Sequence, residues 1–198
     1  MAGIGKLSAV ANQFTGVGIV AIVAPETAAG FNYATAELKT FTPFKKLGSI
    51  LSLENTGDEA SLEQWQDING VAVTATTKAG TFKWDIVLMD VTPEYIKTFF
   101  KGSEITIASG DVPDWVTSAS GFTVYGYGNE IPVIETPLIF FNETNNQWML
   151  ISKAKIVASF GTDSNNQTVK LSALAQMVDT AKLKPVMYAQ GTPVALEE

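Results

Sequence analysis

Gln147–Phe160, QWMLISKAKIVASF, alternates along its whole length. Trp148, Leu150, Ser152, Ala154, Ile156, Ala158 and Phe160 share one parity, and Gln147, Lys153 and Lys155 lie on the other. Side chains of a strand point alternately to its two faces, so this spacing predicts a long strand with one face in a core. Asn145-Asn146 just before it supplies a turn, and the apolar run Thr136–Phe141 (TPLIFF) supplies its antiparallel partner. Downstream, Val169, Leu171, Ala173, Ala175 and Met177 form the inner face of a further strand. The segment 184–198 holds Pro185 and Pro193 and reads as an extended C-terminal arm or last strand.

The same reading extends upstream. Phe82, Trp84, Ile86 and Leu88 alternate with Thr81, Lys83, Asp85 and Val87, a half-buried strand with a bulky inner face. Val71–Thr77 also alternates, and Lys78-Ala79-Gly80 is a natural hairpin connection between the two. Phe44–Leu53 reads as one earlier strand and Val17–Val23 as the first, ended by Pro25; 28–42 is ambiguous, with room for a short strand from Phe31. Residues 54–64 are polar and acidic around Gly57-Asp58 and read as a long exposed loop.

One helix interrupts the strands. Thr92 suits the N-cap, Pro93 the first helical position and Glu94 the positive end of the dipole. Tyr95, Ile96, Phe99 and Phe100 fall at helical spacing, and Gly102 is placed to end it. So short a helix needs tertiary packing and is expected to lie on the sheet. Residues 103–135, rich in Gly, Ser and aromatics, read as a strand or elaborated loop and are expected to be an insertion. The expected fold is therefore mainly β: an antiparallel β-sandwich or barrel of roughly six to nine strands with one short packed α-helix. It forms a single domain over 1–198, with arms at 1–15 and 184–198.

Composition narrows the function. Apolar residues make up 46% of the chain and charged residues 17%, too apolar for a disordered chain. The charged fraction also falls below the ~25% usual for soluble domains, which suits a subunit that covers its surface with copies of itself. Net charge is −7 and all 13 cationic residues are lysine, so there is no basic nucleic-acid face and no arginine fork. With no cysteine and no histidine, thiol chemistry, zinc–thiolate sites and the commonest general base are all absent. No apolar stretch approaches the ~20 residues that span a bilayer. Lys6 before Val17–Ala24 faintly resembles a signal peptide, but the polar residues Ser8, Asn12, Gln13 and Thr15 between them favour a first buried strand.

The constellations that could carry chemistry have plainer readings. Asp85, Asp90 and Glu94 could pair as glycosidase carboxylates. They read instead as an outward strand residue, a strand-to-helix junction and a dipole partner. Asp111-Val-Pro-Asp114 lacks the ligand alternation and central glycine of a calcium loop. Gly121 with Gly126-Tyr127-Gly128 lacks the Gly-Lys-Ser/Thr of a phosphate loop. Asn142-Glu-Thr144 and Asn166-Gln-Thr168 match the glycosylation pattern but read as turn residues. Lys45-Lys46 and Lys153/Lys155 read as solvated faces or intersubunit ion pairs. Trp84 and Trp148 fall on core parities, whereas Trp65 and Trp115 lie in loop-like regions as candidate interface anchors. No catalytic residue, cofactor or metal is expected, and the chain is not expected to be an enzyme.

The order of these elements resembles the major tail tube proteins of long-tailed bacteriophages and related injection tubes. The resemblance is carried by Leu47-Gly48-Ser49-Ile50, the acidic loop 54–64, Val71–Thr77 with Thr81–Met89, the helix from Pro93 to Phe100, Pro137–Phe141, Trp148–Ile156 and Val169–Met177. It implies a virion protein, made in the host cytoplasm, that forms hexameric rings stacked into a hollow tube through which DNA passes. Its partners would be itself and other tail proteins (tape measure, tail terminator, distal tail), with no membrane. The resemblance also implies an inter-ring loop at Asn55, Thr56, Gly57, Asp58, Glu59 and Leu62, and an acidic lumen would suit the net charge. The alternative expectation is a virion or cell-surface decoration protein or a carbohydrate-binding β-sandwich, which Trp65 beside Trp115 would support.

Overall fold

The computed structural model describes residues 18–23, 31–38, 41, 44–66, 72–108, 111, 122–128, 132–191 and 196–197. The arm expected at 1–15 lies outside them. The strands are β1 (Ile19–Val23), β2 (Phe44–Lys46), β3 (Ile50–Asn55), β4 (Ser61–Gln66), β5 (Ala72–Lys78) and β6 (Lys83–Leu88). After helix α1 (Pro93–Phe100) come β7 (Ser103–Ile107), β8 (Phe122–Gly126), β9 (Val133–Asn142), β10 (Gln147–Asp163), β11 (Asn166–Ala175), β12 (Val186–Gln190) and β13 (Leu196–Glu197). The chain is mainly β, as its alternation predicts. One sheet runs β13-β2-β1-β9-β10-β11-β6-β3, with β12 also on β10, while β4–β5 and β7–β8 form separate two-stranded ribbons. Among the described strands every pairing is antiparallel except β13 on β2.

The sheet rolls. Trp84 of β6 and Phe140 of β9 stand three ladder steps apart, about 14 Å in a flat sheet, yet their ring centroids are 5.5 Å apart. The chain also passes from β2 to β3, near opposite ends of the sheet, through Leu47, Gly48 and Ser49 alone. The continuous strand expected over 44–53 is therefore two strands broken at Gly48. A Cβ on Gly48 would stand 2.6 Å from the Tyr95 hydroxyl, so helix and chain meet closely there. The Tyr95 oxygen accepts the Gly48 N–H.

The interior of the roll is lined by Val20 and Ile22 of β1, Leu138 and Phe140 of β9, Ile156 of β10, Leu171 of β11 and Ile86 of β6, all buried. Helix α1 closes this core with Tyr95, Ile96, Phe99 and Phe100. Thr92 caps it, accepting the Tyr95 N–H at 3.2 Å. Its C-terminus departs from expectation: Lys101, not glycine, takes the left-handed conformation, at φ 49°. Gly102 is needed for space instead, because a Cβ there would overlap the Ile96 side chain.

The single parity of 147–160 does not survive intact. Ile151 faces Leu138 and Ala154 faces Thr136, so Ser152 and Lys153 together stand opposite Pro137. Proline cannot donate to the ladder, and the extra residue makes a β-bulge that inverts the faces. Leu150 consequently belongs to a second core with Ala21, Val23, Phe44 and Ile139, and Trp148 packs against that core. Ile151, Ala154, Ile156 and Ala158 fill the first. Buried Ser152 is satisfied at the bulge by donating to the Lys184 carbonyl at 2.6 Å, and Thr136 donates to the Val23 carbonyl at 2.6 Å. The second core is covered by Phe31, Ala36 and Phe41 on one side and Val178 and Leu183 on the other. Phe31 does not open a strand; residues 33–35 form a turn, with Asn32 Oδ1 accepting the Ala34 N–H at 3.1 Å.

The expected C-terminal arm is mostly zipped to the sheet. β12 pairs with β10 from Ile151↔Val186 to Gln147↔Gln190, and β13 pairs with β2. Within 103–135, β7 and β8 form their own ribbon, whereas Val133–Glu135 begin the central strand β9.

Candidate assembly surface

The segment expected as an exposed loop is the base of a long ribbon. β3 pairs with β6, and beyond Asn55↔Trp84 the same two chain segments continue as β4 paired with β5, from Ser61↔Lys78 to Gln66↔Ala72. Residues 61–64 are thus strand, not loop. The hairpin expected between 71–77 and 81–89 does not form either: β5 lies on β4, β6 lies between β3 and β11, and Lys78-Ala79-Gly80 leads from one pairing to the next.

Between the two paired stretches the ribbon kinks, and the kink is tightly built. Thr56 N donates to the Lys83 carbonyl at 2.9 Å, and Thr81 N to the Asp58 carbonyl at 2.9 Å. Asn55 Oδ1 accepts the Gly57 N–H at 3.1 Å, and Thr81 Oγ1 accepts the Asp58 N–H at 2.8 Å. The backbones nearly touch. A Cβ on Gly57 would overlap the Thr81 carbonyl, and one on Gly80 would stand 2.5 Å from the Asp58 carbonyl and 2.8 Å from the Ala60 nitrogen. Of the expected inter-ring residues, Asn55, Thr56, Gly57, Asp58 and Glu59 sit in or beside this kink, and Leu62 sits in β4 opposite Thr77. Trp65 is in β4 opposite Thr74. Trp115 lies outside the described residues.

The other candidates fall into structural roles. Asp85 faces outward from the roll between Ser172 and Lys170, its carboxylate accepting from Ser172 Oγ and pairing with Lys170 Nζ at 3.1 Å. Burial alone would raise its pKa, but the Ser172 and Lys170 hydrogen bonds hold it below the ordinary aspartate value. Glu94 lies 3.9 Å from Lys45 across the helix start. Lys153 and Lys155 both pair with Glu135, at 2.8 and 3.5 Å, within one subunit. Asn142 is buried, and its Oδ1 accepts the N–H groups of Thr144 and Asn145, a turn-forming role. Asp111 is described, but Val112–Asp114 and Gly121 are not. Among the described residues no group of three or more acidic, histidine or cysteine side chains could hold a metal, and no helix is long and apolar enough to cross a membrane.

Lys153 also lies 5.2 Å over the Tyr33 ring. Burial, with Glu135 nearby, pushes the Tyr33 phenol from 10.0 up to about 12. Because the folded value is the higher one, neutral Tyr33 contributes stability that is complete below pH 10 and lost as the pH climbs toward 12. An alkaline titration followed at 295 nm is expected to show a late-ionising tyrosine that disappears in Tyr33→Phe. A wild-type curve matching that variant, after normalising for tyrosine number, would refute the assignment.

Four large apolar side chains at the ends of the β6–β11 ladder and beside it are exposed. Phe82 and Met177, expected inside the core, are 51% and 83% exposed; Leu51 and Met89 are 43% and 50% exposed. Phe82 and Met177 occupy inward parities but lie beyond the ends of β6 and β11, where the kink and the end of the ladder turn them out.

No family model and no curated protein matches the chain.

Proposed function

We propose that this chain is a structural subunit that assembles with copies of itself into stacked rings forming a hollow tube, the architecture of a phage tail tube through which DNA passes. The observation that carries the reading is the β4–β5 ribbon. It leaves a rolled sheet at a fixed kink, and neither strand has a second hydrogen-bonded neighbour among the described residues. A two-stranded ribbon with unpaired outer edges invites strand addition, and proteins that stay monomeric usually protect such edges. The zipped C-terminal strands, the low charged fraction and the order of elements around Leu47–Ile50 and Pro93–Phe100 agree with it. A virion location, hexameric rings and partnership with other tail proteins follow from the same reading, as does transport without catalysis.

The test is negative-stain electron microscopy over a concentration series of the intact protein and of a variant whose ribbon, residues 56–81, is replaced by Asn-Gly. Rings with a central hole or tubes of uniform width are expected from the first. Monomers with an unchanged far-ultraviolet β-sheet spectrum per ordered residue are expected from the second. An intact protein that stays monomeric throughout the series would overturn the reading and favour a binding module.

A further inference from the structure

We propose that the cavity beside the end of β6 binds a hard divalent cation, calcium, between Asp90 and Asp163. The site is independent of the tube reading and stands or falls without it.

The cavity follows from unequal strand lengths. β6 pairs with β11 only as far as Val169↔Leu88. β10 and β11 continue past that point through Gly161↔Thr168 and Thr162↔Gln167 to Asp163↔Asn166. The chain meanwhile leaves β6 through Met89, Asp90 and Val91 to the helix cap at Thr92. β11 therefore outruns its neighbour by three residues, and a cavity of about 330 Å³ opens beside them.

Five oxygen-bearing side chains line it from two separate segments. Asp90 comes from the strand-to-helix junction, and Asp163, Asn166, Gln167 and Thr168 come from the β10–β11 hairpin. Leu51, Met89 and Val91 make an apolar wall, and no lysine belongs to the lining among the described residues. Two carboxylates that share one space with no cationic side chain between them repel, and a bound cation removes that repulsion.

Thr168 is the most buried of the five, at 4% exposure. Its hydroxyl has no hydrogen-bond partner among the described residues, although buried hydroxyls are normally paired. Gly161 stands opposite it, and a Cβ there would come within 2.9 Å of Thr168 Oγ1, so glycine keeps the space around the hydroxyl clear. A cation in the cavity gives this oxygen the partner that the chain does not.

The donor chemistry selects the ion. With no cysteine or histidine in the chain, oxygen is the donor on offer. Calcium accepts six to eight oxygens from carboxylates, side-chain carbonyls and waters in irregular arrangements, whereas magnesium demands a near-ideal octahedron and gives up its waters reluctantly. Ligands drawn from two independent segments suit the first ion better. Two carboxylates are few for a calcium site, so a dissociation constant on the order of 10⁻⁴–10⁻³ M is expected.

Titration calorimetry on the intact chain, stripped of metals with a chelator, is expected to show one calcium bound per chain. Calcium chloride at about 10 mM should raise the midpoint of thermal unfolding by about 3–10 °C, and magnesium chloride by less than half as much. Asp163→Asn and Thr168→Val should each weaken calcium binding by about tenfold with the circular dichroism spectrum unchanged. Asp90→Asn combined with Asp163→Asn should abolish it, while Asp179→Asn, outside the cavity, should leave it intact. Absence of both the calcium heat and the rise in midpoint would overturn the site. Calcium binding that persists in the double variant, or that Thr168→Val leaves unchanged, would overturn it equally.

Discussion

Trp84→Ala is expected to lower the midpoint of thermal unfolding by roughly 6–20 °C. Trp84 is 6% exposed, stacks outward on Phe82 and touches Phe140 across the interior of the roll. It therefore joins strands that are not neighbours in the sheet. Truncating a buried tryptophan costs about 3–5 kcal/mol, since the cavity is only partly refilled. For a chain of this length each kilocalorie moves the midpoint by roughly 2–4 °C. Differential scanning calorimetry on the monomer measures it. A shift under about 2 °C would mean that the roll is held shut elsewhere, with β13 on β2 the first alternative.

Gly57→Val is expected to separate two properties that Trp84→Ala confounds. The added side chain would overlap the Thr81 carbonyl, which belongs to the crossing backbone and not to a movable side chain. The crossing must open, and with it the hydrogen bonds from Thr56 to Lys83 and from Thr81 to Asp58. Overpacking of this kind costs about 1–3 kcal/mol, here concentrated where the hydrogen bonds it breaks lie, between the two segments of the ribbon. Amide exchange is expected to accelerate in β4 and β5 while β9, β10 and β11 keep their protection, and assembly is expected to fail. Uniform loss of protection across both regions would show that ribbon and roll unfold together. Gly80→Ala, which meets the Asp58 carbonyl and Ala60 nitrogen from the other side, should act in the same direction.

What could be read from the sequence was what depends on local periodicity. The helix from Pro93 to Phe100 was legible because its cap, proline and apolar spacing act within a few residues. Trp84, Ile86 and Leu88 were legible because a buried strand face must be apolar at every second position. Ser61–Gln66 was not legible as a strand. Its two apolar residues, Leu62 and Trp65, stand three apart, so the sequence SLEQWQ carries no period-two alternation. The β10 bulge was hidden by an alternation that continues unbroken through Ser152. The available clue lay on the opposite strand, in Pro137, a residue poorly suited to the middle of a ladder. Phe82 and Met177 misled for a related reason: parity says which way a residue points while the strand lasts, and both lie just past where it stops. The carboxylate and lysine candidates were not legible as pairs, since Asp85 meets Ser172 and Lys170 only through the β6–β11 register.

The position of β1 in the sheet sets the order in which the chain can be completed on the ribosome. Ile19 to Ile22 pair with Phe141 to Leu138, and β2 adds to β1 on its other side. β1 is an uncharged run of Ile, Val and Ala, and its inner neighbour β9 is translated long after it. Until β9 arrives, IVAIV keeps one edge open even after β2 has paired with the other, the kind of segment that recruits identical chains. Many copies made on one message would carry that segment together, so a chaperone that holds β1 until β9 emerges is expected to lower aggregation during synthesis.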